Sequence, residues 1–184
     1  MSRIGRMPIM VPKGVTVDIK EDGVSIKGPK GELRRHLHPE MTVTQENDNL
    51  MVSRPGDGRL QRSLHGLTRT LLANMVQGVT QGYVKELEIF GVGYRAEKTG
   101  DKIVLQLGFS HPVNVSPMPG TSLAVEGNNR IKVNGIDKEA VGEMAARIRA
   151  IRPPDVYRGK GIKYAGEVLR HKAGKAGKAI GAKT

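Results

Sequence analysis

Residues 57–82 read DGRLQRSLHGLTRTLLANMVQGVTQG, and here the hydrophobic period changes from two to about 3.6. Leu60, Leu64, Leu67, Leu71, Met75 and Val79 recur at intervals of three or four. This spacing predicts one helix of about five to six turns with those residues on its apolar face. Asp57 is the expected N-cap and Gly78 or Gly82 the expected stop. Arg62 and Arg69 fall on or beside the opposite face.

Upstream, the pattern is that of short strands. Val15, Val17 and Ile19 alternate with polar residues, and Val24 and Ile26 answer them across Glu21-Asp22-Gly23, a hairpin signal. Leu33, Arg35 and Leu37 follow Gly31. Met41, Val43 and Gln45 lead through Asn47-Asp48-Asn49 to Leu50-Met51-Val52.

Downstream the same order recurs. Leu87 and Ile89 alternate with acids and reach Gly91-Val92-Gly93-Tyr94, read as a bulge or bend. Thr99-Gly100-Asp101 turns into Ile103, Leu105 and Leu107, and Val113 and Val115 form a short strand. Leu123 and Val125 pair across Gly127-Asn128-Asn129 with Ile131 and Val133. Asp137 then caps a helix with Val141, Met144, Ala145, Ile148 and Ile151 on one side, which Pro153 and Pro154 end. Pro39 and Asn49 overlay Pro119 and Asn129, both 80 residues on, and Gly66 overlays Gly142, 76 on. The expected fold is therefore α+β with an internal duplication of two small domains, each an antiparallel sheet with one packed helix. The expected divisions are 1–82, 83–170 and a flexible basic tail, 171–184.

Thirty Lys and Arg stand against 18 Asp and Glu, a net charge of +12, and the excess is not evenly spread. From Arg147 to Thr184 there are eleven basic residues and only Asp155 and Glu167, a net +9. The preceding 146 residues hold 19 basic and 16 acidic. Such asymmetry points to a localised surface for a polyanion, nucleic acid first among them. In the tail, Lys172, Lys175 and Lys178 recur among Ala and Gly, which bury nothing and are costly to order. Without cysteine the chain has neither disulfides nor thiolate metal sites. No run of 18 apolar residues is present, so no membrane span is expected.

The residues of a catalytic centre are not assembled in the sequence. Neither Gly159-Lys160 nor Gly177-Lys178 is followed by Ser or Thr, as a phosphate-binding loop would require. His36 and His38 share a strand side but lack a third ligand nearby, so neither metal nor cofactor is expected. Glu86 and Glu88 are read as solvated carboxylates. The rival readings are a DNA-compacting architectural protein and a small enzyme on an anionic substrate; nearly neutral domains argue against the first, and a missing set of perturbed groups against the second.

After the second helix comes Arg152-Pro153-Pro154-Asp155-Val156-Tyr157-Arg158-Gly159-Lys160-Gly161-Ile162-Lys163-Tyr164. Two prolines force an extended exit, and Gly159 and Gly161 permit close backbone approach. Arg158, Lys160 and Lys163 supply charge for phosphates, while Tyr157 and Tyr164 offer rings to unpaired bases or to the domain edge. The expected RNA-binding set is Arg152, Tyr157, Arg158, Lys160, Lys163, Tyr164, Arg170, His171, Lys172, Lys175 and Lys178, joined by Arg3 and Arg69.

This segment resembles the signature of the bacterial large-subunit ribosomal protein L6 family, with Arg158 where lysine is usual. The opening through Met1-Ser2-Arg3-Ile4-Gly5-Arg6 and Pro8 to Val15 is similar too, as are Lys27-Gly28-Pro29-Lys30-Gly31, His65-Gly66-Leu67-Thr68-Arg69 and Gly91-Val92-Gly93-Tyr94. The resemblance covers residues 1 to about 172. It implies two duplicated domains and binding of large-subunit, 23S-type rRNA near the sarcin–ricin loop and the stalk base. It also implies neighbouring large-subunit proteins and docking translation factors as partners, and a place in the cytoplasmic ribosome.

Overall fold

The computed structural model describes residues 3–20, 23–172 and 174. Its elements, in chain order, are β1 (Ile9–Met10), β2 (Thr16–Lys20), β3 (Gly23–Gly28), β4 (Gly31–His36), β5 (Thr42–Glu46), β6 (Asn49–Ser53) and α1 (Arg59–Thr80). There follow β7 (Tyr83–Phe90), β8 (Arg95–Thr99), β9 (Lys102–Gln106), β10 (Val113–Val115), β11 (Thr121–Glu126), β12 (Arg130–Gly135), α2 (Lys138–Ile151) and β13 (Gly161–Tyr164). They form two compact units. One comprises residues 1–84 with 119–121 and 134–141; the other holds 85–118, 122–133 and 142–184.

In the first unit the sheet is split in two. β2-β3-β4 is an antiparallel meander, with Val24 opposite both Ile19 and Arg35. β1-β6-β5 is the other sheet, with Val43 opposite Val52 and Ile9 opposite Leu50. α1 lies against β1, β3, β4 and β6. Ile9, Val24, Ile26, Val43, Leu50, Val52, Leu72, Met75, Val76 and Val79 make one continuous core. It is aliphatic throughout, as a chain with only 3% aromatic residues requires.

The second unit repeats this plan and adds to it. β8-β9-β10 matches β2-β3-β4, and β11-β12 with β7 matches β5-β6 with β1. The extra strand is β13, which pairs antiparallel with the free side of β7, placing Ile162 opposite Ile89. This strand comes from the cationic segment, which the sequence pattern presents only as an extended exit from α2. Its Ile162 is fully buried.

The helix face differs from the sequence expectation. Leu60 and Leu67 are 62% and 54% exposed, whereas Leu72 is 0% exposed. The core face runs through His65, Thr68, Leu72, Met75, Val76 and Val79, one residue step (roughly 100°) from the leucine stripe in its first half. Two polar residues hide that face from a hydrophobic pattern. The buried His65 ring explains how this is tolerated. Arg54 Nη1 donates to His65 Nδ1 at 3.2 Å, which leaves the Nε2 proton for Val52 O at 2.9 Å. Leu72→Ala is therefore expected to cost about 2–5 kcal/mol and Leu67→Ala under ~1 kcal/mol, compared by urea unfolding. Equal losses would mean the wrong face is in the core.

The helix ends also differ in detail. Gly58, not Asp57, is the N-cap; its N–H donates to Gln61 Oε1 at 3.1 Å, while Asp57 binds Arg54. At the other end Gly82, with φ +74°, closes the helix by donating to Gly78 O at 2.9 Å. Lys30, from the Gly28–Gly31 turn, donates its backbone N–H to Val79 O and its ammonium to Gln81 O. A cation there complements the carbonyl end of the helix. Asp137 caps α2 as expected, accepting from Glu139 N at 2.9 Å.

Candidate nucleic-acid interface

The cationic segment of the second unit is an ordered structure. Leaving α2, Arg152 O accepts from Ile162 N at 2.8 Å, which ties the helix exit to β13. Between them residues 155–160 form a closed turn. Asp155 N donates to Lys160 O and Gly159 N donates to Asp155 O, both at 2.9 Å. The Asp155 carboxylate accepts from Arg158 N at 2.9 Å and Tyr157 N at 3.3 Å, so the segment's lone acid in this turn holds its backbone. Gly159 takes φ +69° under the His171 ring, and Gly161 takes φ +146° with the Pro153–Pro154 backbone where a β-carbon would stand.

The chain then returns across the turn. Ala165 N donates to Glu86 O at 3.0 Å, and Lys172 N donates to Val156 O at 2.9 Å. His171 Nδ1 lies 3.3 Å from Tyr157 O. Residues 171 and 172, expected within a flexible tail, are thus tied to the turn by these bonds. Lys175 and Lys178 lie outside the described residues.

Intramolecular partners sort the cations. Lys163 Nζ sits 3.3 Å from Glu88, which also faces Arg130 Nη2 at 3.9 Å. Lys132 lies 3.3 Å from Glu86 and 2.6 Å from Glu126. Charges thus alternate across β11, β12, β7 and β13, where the partly exposed Glu86 and Glu88 are ion-paired. Arg149 makes a two-pronged contact with Glu167, 2.6 and 3.1 Å, at the end of α2. Tyr164 is half-buried between Arg149 and Lys85, whose charges lie 5.5 and 5.0 Å from its ring centre. Arg69 donates to Met7 O and Pro8 O at 3.1 and 3.2 Å, locking the N-terminal segment onto α1. Arg152 stacks 4.9 Å over Phe109, itself stacked with His111, a pair that no charge pattern flags.

By contrast, the side chains of Arg158, Lys160, Arg170 and Lys172 make no ion pair or hydrogen bond with a described residue. Tyr157 is exposed beside them. Arg3 is exposed in the first unit. Among the described residues no group of His, Asp and Glu is placed to hold a metal ion, and no helix is long and apolar enough to cross a membrane.

The Glu167 carboxyl is held below the usual carboxylate range, first by the hydrogen bonds from Arg149 and then by that from Tyr164 N at 2.9 Å. A lowered folded-state value stabilises the fold above the ordinary carboxylate range, and that contribution is lost as pH falls through the lowered value. An NMR titration should find Glu167 protonating below free glutamate, with the β13 amides loosening in the same acid window. Titration at or above the ordinary value would refute the assignment.

The chain thus holds two copies of one sheet-and-helix plan, the second extended by a strand that follows a pinned cationic turn. The comparisons with known proteins agree: a family model described as ribosomal protein L6 matches twice, over residues 11–82 and 90–165. The chain belongs to the ribosomal protein L6 family. It is 58% identical over 184 residues, the whole of both chains, to the large ribosomal subunit protein uL6 of Thermomicrobium roseum. It is 58% identical to that of Caldicellulosiruptor bescii over 97% of this chain and 98% of the relative. For Chloroflexus aurantiacus the identity is 59%, over 97% of this chain and all of the relative.

Proposed function

We propose that this protein is a structural constituent of the large ribosomal subunit, not an enzyme, and that its second unit clamps 23S-type rRNA and so supports translation. The supporting observation is the set Arg158, Lys160, Arg170 and Lys172, whose side chains have no ion-pair partner among the described residues, on a backbone that Asp155 and β13 hold in place. Cations without internal partners are those able to neutralise phosphates and release counterions. A pre-formed turn spares the ordering cost that a free tail incurs on binding. Tyr157 adds an exposed ring at the same place. Lys163, Tyr164 and Arg69 take supporting roles in this reading, Arg152 borders the surface through Phe109, and Arg3 is a further rRNA contact. Family membership extends the proposal to a location by the sarcin–ricin loop and the stalk base. There the partners would be adjoining large-subunit proteins and docking translation factors, in the cytoplasm.

The test is co-sedimentation with isolated subunits through a high-salt gradient. About one copy retained per large subunit is the expected result. Loss at moderate salt, equal binding to both subunits, or equal affinity for duplex DNA would favour a nonspecific polycation. Removal of residues 173–184 spares the Lys172–Val156 hydrogen bond. It should leave folding intact and weaken rRNA binding, with a salt slope shallower by about one for each phosphate the tail neutralises. Unchanged affinity would remove the tail from the interface.

A further inference from the structure

We infer that the second unit holds a pocket for one unstacked nucleotide, its base on Phe90 and Val92 and its phosphate at Arg158 and Lys160. The inference rests on the rRNA-binding reading above and specifies the chemistry of that surface.

Where β7 ends, an open cleft of ≈ 490 Å³ is bordered by Phe90, Val92, Tyr94, Asn129, Arg158 and Lys160. Its floor is mainly apolar and its volume lies within the usual range of small-ligand sites, about 300–1,000 Å³. Val92 is 92% exposed and Phe90 58%. The two side chains present apolar surface side by side at one turn. The turn is closed by its own contacts. Tyr94 N donates to Gly91 O at 3.2 Å, and Gly91 has φ +151° with the Tyr94 ring against it. A β-carbon at Gly91 would stand 2.8 Å from that ring.

Charge identifies the occupant. No carboxylate lines the cleft, and the side chains of both its cations have no ion-pair partner among the described residues, so the occupant carries negative charge. A bare phosphate would leave Phe90 and Val92 wet. An apolar peptide would leave Arg158 and Lys160 uncompensated. A nucleotide presents a flat apolar face and an anion on one small body, and an unpaired base stacks on aromatic rings whatever its sequence. Asn129 stands at the same rim, where an amide can meet a base edge.

The experiment uses the full chain and large-subunit rRNA, with binding measured across a salt series and base accessibility probed by chemical modification. Phe90→Ala/Val92→Ala should bind about tenfold more weakly with an unchanged salt slope, since stacking is not ionic. One unpaired base that the unsubstituted protein shields should become reactive again. Val92→Ala alone, at a wholly solvent-facing site, should show the same effect in smaller degree and guards against misfolding. If both apolar variants leave affinity and footprint unchanged while Arg158→Glu/Lys160→Glu weakens binding, the pocket is refuted and the rRNA reading stands. If neither pair changes binding, both fall. If the apolar variants bind free rRNA normally but occupy fewer assembled subunits, the floor docks a protein and the nucleotide assignment is overturned.

Discussion

Gly161→Ala is expected to melt the edge of the second unit and, with it, the cationic turn. The added β-carbon would lie 2.6 Å from Pro153 O and 2.7 Å from Pro154 Cα, both backbone atoms that cannot swing aside. It would also have to accept φ +146°, a region that L side chains rarely enter. Strain of that kind costs about 1–3 kcal/mol and overpacking about as much again. The sum is a large share of the stability of a domain of this size. Its effect falls on the Ile162 N–Arg152 O hydrogen bond and on the pairing of β13 with β7, which together fix both ends of the turn. Amide exchange at Ile162 should accelerate by roughly a hundredfold or more, and rRNA affinity should fall although no charge has changed. Gly166→Ala is the control. It has φ +78° but nothing within 4 Å, so only about 1 kcal/mol of backbone strain is expected. Similar losses at the two positions would show that the Pro153–Pro154 contact is not what holds the strand.

The second large effect is electrostatic. Arg158→Glu/Lys160→Glu should lower rRNA affinity by about a hundredfold at moderate salt and reduce the magnitude of the salt slope by about two. Lys163→Gln, only three residues on, should change little. Its ammonium already faces Glu88, so binding RNA would first require breaking that ion pair, and Arg130 remains beside Glu88 after the substitution. The comparison separates cations by pairing, not by proximity in sequence. Equal losses from both variants would mean that the intramolecular ion pairs yield to RNA and that bulk charge governs binding.

Much of this protein was legible in its residues. Alternation of Val and Ile with polar residues placed β2, β3, β5 and β6, because a half-buried strand must present one face to the core. Recurrence of that order after Gly82 exposed the duplication. The charge count confined the excess of cations to the last fifth of the chain. Gly82 was one of two proposed stops and proved to be the terminator, because only a residue at ease with positive φ can turn the chain there.

Two kinds of information were decided in three dimensions. The first is which face of α1 is buried: His65 and Thr68 occupy the core side, and the His65 ring finds its partner in Val52 O, on a strand of the sheet. The second is which cations are free. Arg158, Lys160 and Lys163 are the same kind of residue within one short stretch, yet among the described residues only the Lys163 side chain meets a carboxylate, because β13 pairs with β7 and brings Glu88 to it. Likewise Phe90 and Val92 become neighbours of Arg158 and Lys160 only once that strand is in place. Local periodicity and composition are properties of the chain alone, so they determined the elements and the duplication. Charge pairing and the shape of the cleft depend on residues some 70 positions apart, so only the folded sheet determined them.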